Sequence, residues 1–219
     1  MTTQPLTTSP RDAPNPAHEV VYRALRSRIL YGQISPGAAL TLRGVAAEFK
    51  VSMTPAREAV RRLAAEGALS LSSSGRISTP ELTTDRIEEL AALRGLIEPE
   101  LAARALPRAH LALIDRLQLI HSGVSEAVVK QDAVAYIRTN LEFHRMLYLR
   151  AQAPAMLALA EQIWLQLGPT MRALYGRLQR TEAPRNHLLI LSALRAGDEP
   201  SLRLAVRADV SQGLKLLAR

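Results

Sequence analysis

Residues 41–66, TLRGVAAEFKVSMTPAREAVRRLAAE, decide the fold of the first part of this chain. Val45, Ala46 and Phe49 space an apolar face along a short helix that Thr41 is placed to cap. Lys50-Val51-Ser52 interrupt the pattern, and Ser52 stands where it caps a second helix with Pro55 in its first turn. Ala59, Val60, Leu63 and Ala64 give the second helix one apolar side, so Arg57, Arg61 and Arg62 face outward. Helix, tight turn and arginine-bearing helix have the shape of a DNA-reading helix-turn-helix. Guanidinium groups on such a helix reach phosphates and the guanine edge in a major groove.

Upstream, Val20, Val21, Ala24, Leu25, Arg28 and Ile29 carry a helical period from about Ala17 to Tyr31. Gly32 ends it, and Ser35-Pro36-Gly37 turns the chain. Downstream, Gly67 is a natural C-cap. Leu69–Ser73 and Arg76–Thr79, joined around Ser74-Gly75, read as a short hairpin. Three helices and a hairpin make a winged helix-turn-helix over residues 17–80. Residues 1–16 are polar and proline-rich, lack the apolar core of a secretory signal, and read as a disordered tail.

From Leu82 onward every segment reads as helix: Thr84–Ala105 (bent near Pro99), Pro107–Lys130, Asp132–Ala151, Pro154–Leu167, Pro169–Arg180, Ala183–Ala196 and Glu199–Ala218. The expected fold is mainly α, a winged helix-turn-helix followed by an all-helical bundle of six or seven helices over residues 81–219. Composition agrees. Of the 219 residues 47% are apolar but only 4% aromatic, which points to helices packed through leucine and alanine. The net charge is +8; residues 1–80 hold 10 Lys+Arg against 5 Asp+Glu, and residues 81–219 hold 18 against 15. The basic excess is thus concentrated where the helix-turn-helix lies, as a nucleic-acid footprint requires. A solvated basic face gives the same count, so charge alone decides nothing. The absence of cysteine removes disulfides, thiolate nucleophiles and cysteine metal sites, and it suits the cytoplasm. No run is long and apolar enough for a membrane span. Phosphate loops, a Ser-His-Asp order and HExxH are missing.

The helical part carries a second signal. Ala133, Ile137, Asn140, His144, Leu147 and Ala151 form one helix face with two polar residues in its middle. Similar stripes are interrupted by His187 (Ala183, Ile190, Leu194), by Asp209 (Leu202, Ala205, Gly213, Leu216) and by Arg94 (Ile87, Leu90, Ile97, Leu101). Burying an unpaired polar group costs about 1–3 kcal/mol, so the economical arrangement is for these groups to meet in a shared pocket. Two imidazoles, a carboxylate and an amide oxygen also make a ligand set for a divalent metal, with Arg94 as a clamp for a carboxylate. Spacing leaves the metal open. A lone His on a stripe is more often a hydrogen-bonded core residue, Asp209 has Arg94 or Arg207 as partners, and Asn140 has the backbone. His18, His110 and His121 lie near predicted helix ends and read as surface or capping residues, while Tyr148 and Trp164 read as bundle packing.

Ile34-Ser35-Pro36-Gly37, Leu42–Phe49, Val51 through Val60 and Leu63-x-x-Glu66-Gly67 resemble the DNA-binding domain of GntR-family transcription regulators. Leu93-Arg94-x-x-Ile97-Glu98, Asn140-x-x-Phe143-His144 and His187 through Asp198 resemble the all-helical FCD effector domain of the FadR subfamily. The resemblance spans about residues 17–217. It implies a cytoplasmic homodimer on a palindromic double-stranded DNA operator, with a small-molecule effector, a carboxylate, in the helical domain. Carried over by motif position, Arg43, Ser52, Met53, Thr54, Arg57 and Arg61 meet DNA, and Gly75 with Arg76 sits at the wing tip. Met53 stands where the family often has arginine, which removes one charged contact. The family's Asp and three His around a divalent metal (zinc, nickel or manganese) fall here on Asn140, His144, His187 and Asp209. The exchange of Asp for Asn and of His for Asp leaves one carboxylate in the set, and Arg94 falls where the family aims an arginine at the effector. The rival class is a metal-dependent enzyme on a helical bundle with an accessory DNA-binding module, but no general acid or base is evident beside an open metal site. A third reading is a DNA-binding structural protein with no effector.

If the second helix reads DNA, Arg57→Ala should weaken binding to a selected operator by about 1–3 kcal/mol in fluorescence anisotropy. Unchanged affinity rejects the assignment.

Overall fold

The computed structural model describes residues 16–72, 75–178 and 184–212. The expected tail lies outside these residues except for Pro16, which precedes the first helix. Helix α1 spans Ala17–Leu30, strand β1 Ala39–Leu40, helix α2 Leu42–Glu48 and helix α3 Met53–Ala65. Strands β2 (Ser70–Leu71) and β3 (Ile77–Ser78) follow. Val21, Leu25 and Ile29 of α1 close over Val45 of α2 and Val60 and Leu63 of α3, forming one buried cluster. Thr41 Oγ1 accepts from the Gly44 amide at 2.9 Å and caps α2 as expected. Ser52 holds the N-cap position of α3 with extended backbone, but its side chain makes no cap bond.

The wing differs from a plain hairpin. Its strands are two residues each, shorter than the sequence pattern suggests, and β1 adds a third in the order β1-β3-β2. Leu40 and Leu71 both pair across from Ile77, which is 3% exposed. A two-residue strand is too short to leave a periodic signature, so β1 was invisible in the sequence. Residues 73–74 of the expected hairpin lie outside the described residues.

The helical half runs α4 (Thr84–Ala105), α5 (Leu111–Val129), α6 (Ala133–Tyr148), α7 (Pro154–Leu178), α8 (Arg185–Ala196) and α9 (Glu199–Gln212). Thr83, His110 and Asp132 cap α4, α5 and α6. Pro107 belongs to a separate 3-10 turn, so α5 begins later than expected. Leu149–Ala151 form another such turn, so α6 ends earlier. The expected ends at Arg180, Ala183 and Ala218 lie outside the described residues. The largest correction is α7, which is one helix through Pro169 where the sequence suggested two. An internal proline forfeits a backbone hydrogen bond. Leu165, Leu167 and Leu174 are buried on both sides of it, and that packing holds the helix together.

Helix α7 also ties the halves together. Leu165, fully buried, belongs to the core of the winged half. Gln166 Nε2 donates to the Glu66 carbonyl at 3.2 Å, and Arg172 Nη1 donates to the Gly32 carbonyl at 3.1 Å. Gly168 lies so close to the end of α1 that a Cβ there would stand 2.2 Å from the Ile29 carbonyl oxygen. Gly168→Ala should therefore push the halves apart, lowering stability by about 1–3 kcal/mol in urea unfolding. An unaltered midpoint removes this contact from the account.

Candidate functional site

On the winged half Arg43, Ser52, Met53, Thr54, Arg57 and Arg61 are all exposed, along the start of α2 and the outer side of α3. Gly75 and Arg76 are exposed at the turn before β3, and Gly75 takes φ +80°, a conformation that favours glycine. Arg62 behaves differently. Its guanidinium lies 3.6 Å over the Tyr22 ring and pairs with Glu19 at 2.9 Å and Glu66 at 3.4 Å. It is scaffold for the α1–α3 contact.

In the helical half, α6, α8 and α9 bring His144, His187 and Asp209 together, with one ligand atom from each within 4.8 Å of the others. His144 Nε2 lies 2.9 Å and His187 Nε2 3.9 Å from Asp209 Oδ2. Both imidazoles are fully buried, and Phe143 stacks on His187 at 3.9 Å, which sets its ring plane. Asp209 pairs with His144 rather than with Arg94 or Arg207. Two imidazole nitrogens and a carboxylate oxygen converging from three helices fit the donor set of zinc, nickel or manganese. Asn140, one turn before His144, is half-buried and lines a small cavity of about 20 Å³ with Arg94, Leu30, Ile137, Trp164 and Gly168.

Arg94 does not stand free as a clamp. It forms a buried ion pair with Glu98, which is wholly inaccessible and also accepts from Tyr148 Oη at 3.0 Å and Trp164 Nε1 at 2.9 Å. Tyr148 Oη lies 3.2 Å from His144 Nδ1, so the His/Asp cluster and the Arg94 pair form one connected network. Burial raises the Tyr148 phenol well above its usual range, and the Glu98 charge adds to the effect. Sequence reasoning did not assign Glu98 a role; its signal was its place four residues after Arg94, beside the apolar stripe.

His121 is the second miss. It is 7% exposed, not a surface or capping residue, and its Nδ1 lies 3.4 Å from His187 Nδ1. Leu117, His121, Val124 and Val128 form a stripe that would have revealed it. Burial depresses its pKa, and the Asp209 charge opposes that. His110 does cap α5, accepting from the Leu113 amide at 3.2 Å, and exposed His18 lies 3.5 Å from Glu58.

Burial pushes the Asp209 carboxyl up, but the His144 hydrogen bond and the charges of His187, His144 and Arg94 outweigh it and hold the pKa at about 2. The folded value lies below the 3.8 of the unfolded chain, so the unfolded state binds the proton more readily. The stabilisation is complete above 3.8 and disappears as pH falls toward 2. In metal-stripped protein the loss should be about 2 kcal/mol. Urea unfolding of Asp209→Asn should show this acid limb flattened; an identical limb rules the pair out as its source.

Comparison with known proteins covers both halves of the chain. Residues 17–77 match the bacterial regulatory proteins of the gntR family, and residues 89–212 match the FCD domain. The transcriptional regulator McbR of Escherichia coli is 30% identical over 198 residues, covering 88% of this chain and 89% of that protein. The gluconate operon transcriptional repressor of Bacillus subtilis is 30% identical over 149 residues, 68% of this chain and 59% of the repressor. The solved structure of E. coli McbR/YncC superposes with a TM-score of 0.84 at 26% identity, covering 92% of this chain and 97% of that one. A GntR regulator from Rhodococcus shares the fold with a TM-score of 0.76 at 19% identity, over 91% of this chain and 96% of its own. These relatives regulate transcription, which displaces the enzyme alternative. With both domains matched in order, the chain belongs to the GntR family of transcription regulators, of the FadR type with a C-terminal FCD domain.

Proposed function

We propose that this regulator binds a palindromic operator as a homodimer in the cytoplasm, and that a small organic acid bound in its helical half controls operator affinity. Arg43, Ser52, Thr54, Arg57 and Arg61 contact the DNA, with Gly75 and Arg76 of the wing at the minor groove. Met53, 37% exposed, offers only an apolar contact, so base reading rests on Arg57 and Arg43. The names of the gluconate repressor and of the E. coli repressor RspR favour repression as the sign of regulation.

The observation that carries the effector reading is the wall of the small cavity. Arg94 and Asn140 line it from the bundle, and Leu30 lines it from α1 of the winged half. At about 20 Å³ it holds no more than a water. An acid reaching Arg94 there must compete with Glu98 and open the space between α1 and α7. Such a ligand binds the opened arrangement better than the closed one, which is the differential affinity that shifts a population. The linker at residues 79–85 moves with it; Thr79 Oγ1 holds the Ser35 carbonyl at 2.6 Å, and Thr83 caps α4.

His144, His187 and Asp209 hold a divalent cation, with Asn140 as a candidate further ligand. A cation bound there would supply a Lewis-acidic partner for the effector's carboxylate. Metal analysis of chelator-stripped and reloaded protein, alongside His144→Ala, tests the centre. Stoichiometric uptake by the parent and none by the variant is expected. No uptake by the parent reduces the site to a polar pocket. Anisotropy on operator DNA with a panel of organic acids tests the effector, and affinity indifferent to every acid argues for a regulator with no such ligand.

A further inference from the structure

Trp164 and Arg94 can only donate hydrogen bonds. Both bond Glu98, with Trp164 Nε1 at 2.9 Å from Oε1, so Glu98 stands as a buried acceptor. The Tyr148 hydroxyl, 3.0 Å from Glu98 Oε2, has one hydrogen and donates it there. Its oxygen is then the acceptor for His144 Nδ1, 3.2 Å away, which must carry a proton. The direction of every bond in the chain follows from the two obligate donors at its end. His144 Nε2 is left facing Asp209 Oδ2 at 2.9 Å, and a cation or a proton has to lie between them.

We infer that Tyr148 and Glu98 are positioning residues for the proposed metal centre. They fix the Nδ1–H form of His144 and aim its Nε2 lone pair at the ion. The inference rests on the metal reading above. A ligating imidazole owes its orientation and basicity to the partner on its other nitrogen. Here that partner is a phenol whose polarity is set by a carboxylate locked to Arg94. The centre and the arginine that faces the effector cavity thus share one directed network. Trp164 closes that network and is the only tryptophan in the chain, so its emission reports on the centre.

The test is zinc titration of the chelator-stripped full chain against a chromophoric competitor, with Trp164 fluorescence recorded in parallel. Tyr148→Phe should bind about 10–100-fold more weakly and lose the emission change that accompanies loading in the parent. Binding within about twofold of the parent overturns the inference, since loss of the partner on a ligating imidazole's other nitrogen is worth more than that. Should Tyr148→Phe fail to fold, long-range proton–nitrogen correlation of the imidazoles in the zinc-loaded parent decides. A proton on His144 Nδ1 with zinc on Nε2 supports the relay, and the opposite arrangement overturns it. If the parent takes up no zinc, the metal reading falls and this one with it. Uptake that is abolished by His144→Ala but indifferent to Tyr148 overturns this one alone.

Discussion

Placing the carboxylate of Glu98 in the middle of a helical bundle costs several kcal/mol unless its charge and its lone pairs are all answered. The answer comes from three helices: Arg94 on α4 itself, Tyr148 on α6 and Trp164 on α7. Two of those side chains are held in turn by something else, Tyr148 by His144 and Trp164 by the α7 packing. One buried charge therefore ties α4, α6 and α7 together, and through Tyr148 it reaches His144 of the His144, His187 and Asp209 cluster. Replacing the ion pair by apolar residues of similar volume need not cost stability. Its contribution is the direction of the hydrogen bonds and the register of the helices.

The same constraint reaches the DNA-binding half through α7. Trp164 faces Glu98, and its neighbour Leu165 is buried in the winged core. One turn of helix thus touches both the candidate effector site and the scaffold of the DNA-reading helices. The proline at position 169 sits just after this turn, and Gly168 permits the close approach to α1. A change in the cavity lined by Leu30 and Gly168 therefore has a short, packed route to α1 and α3. The linker between the wing and α4 is a second, covalent route.

Much of this was legible in the residues. The α2–turn–α3 unit follows from apolar spacing, a threonine cap and a proline in the first turn, all local properties of the chain. The polar interruptions at Asn140, His144, His187, Asp209 and Arg94 were visible because a polar residue on an apolar stripe has to be answered somewhere. Which of them answer one another was not visible. The stripe pattern points Arg94 at a ligand, and the fold pairs it with Glu98. Its place near a predicted helix end reads His121 as a surface or capping residue, although its own helix sets it on a buried stripe against His187. Strand β1 and the continuity of α7 escaped for the opposite reason, since two residues and a single proline carry less weight than the packing around them.

By itself the sequence determined the order of the domains, the arginine-bearing helix and the family, because these rest on spacing and caps that act within a few residues. It also determined that the helical half would bury charge. Only the tertiary structure decided where that charge goes. Arg94 is a local partner of Glu98, but Tyr148 and Trp164 lie 50 and 66 residues from Glu98 and His144 lies 65 from Asp209, and no local preference encodes such a distance. The direction of each hydrogen bond, and with it the nitrogen that His144 turns toward Asp209, exists only once those distant donors are in place.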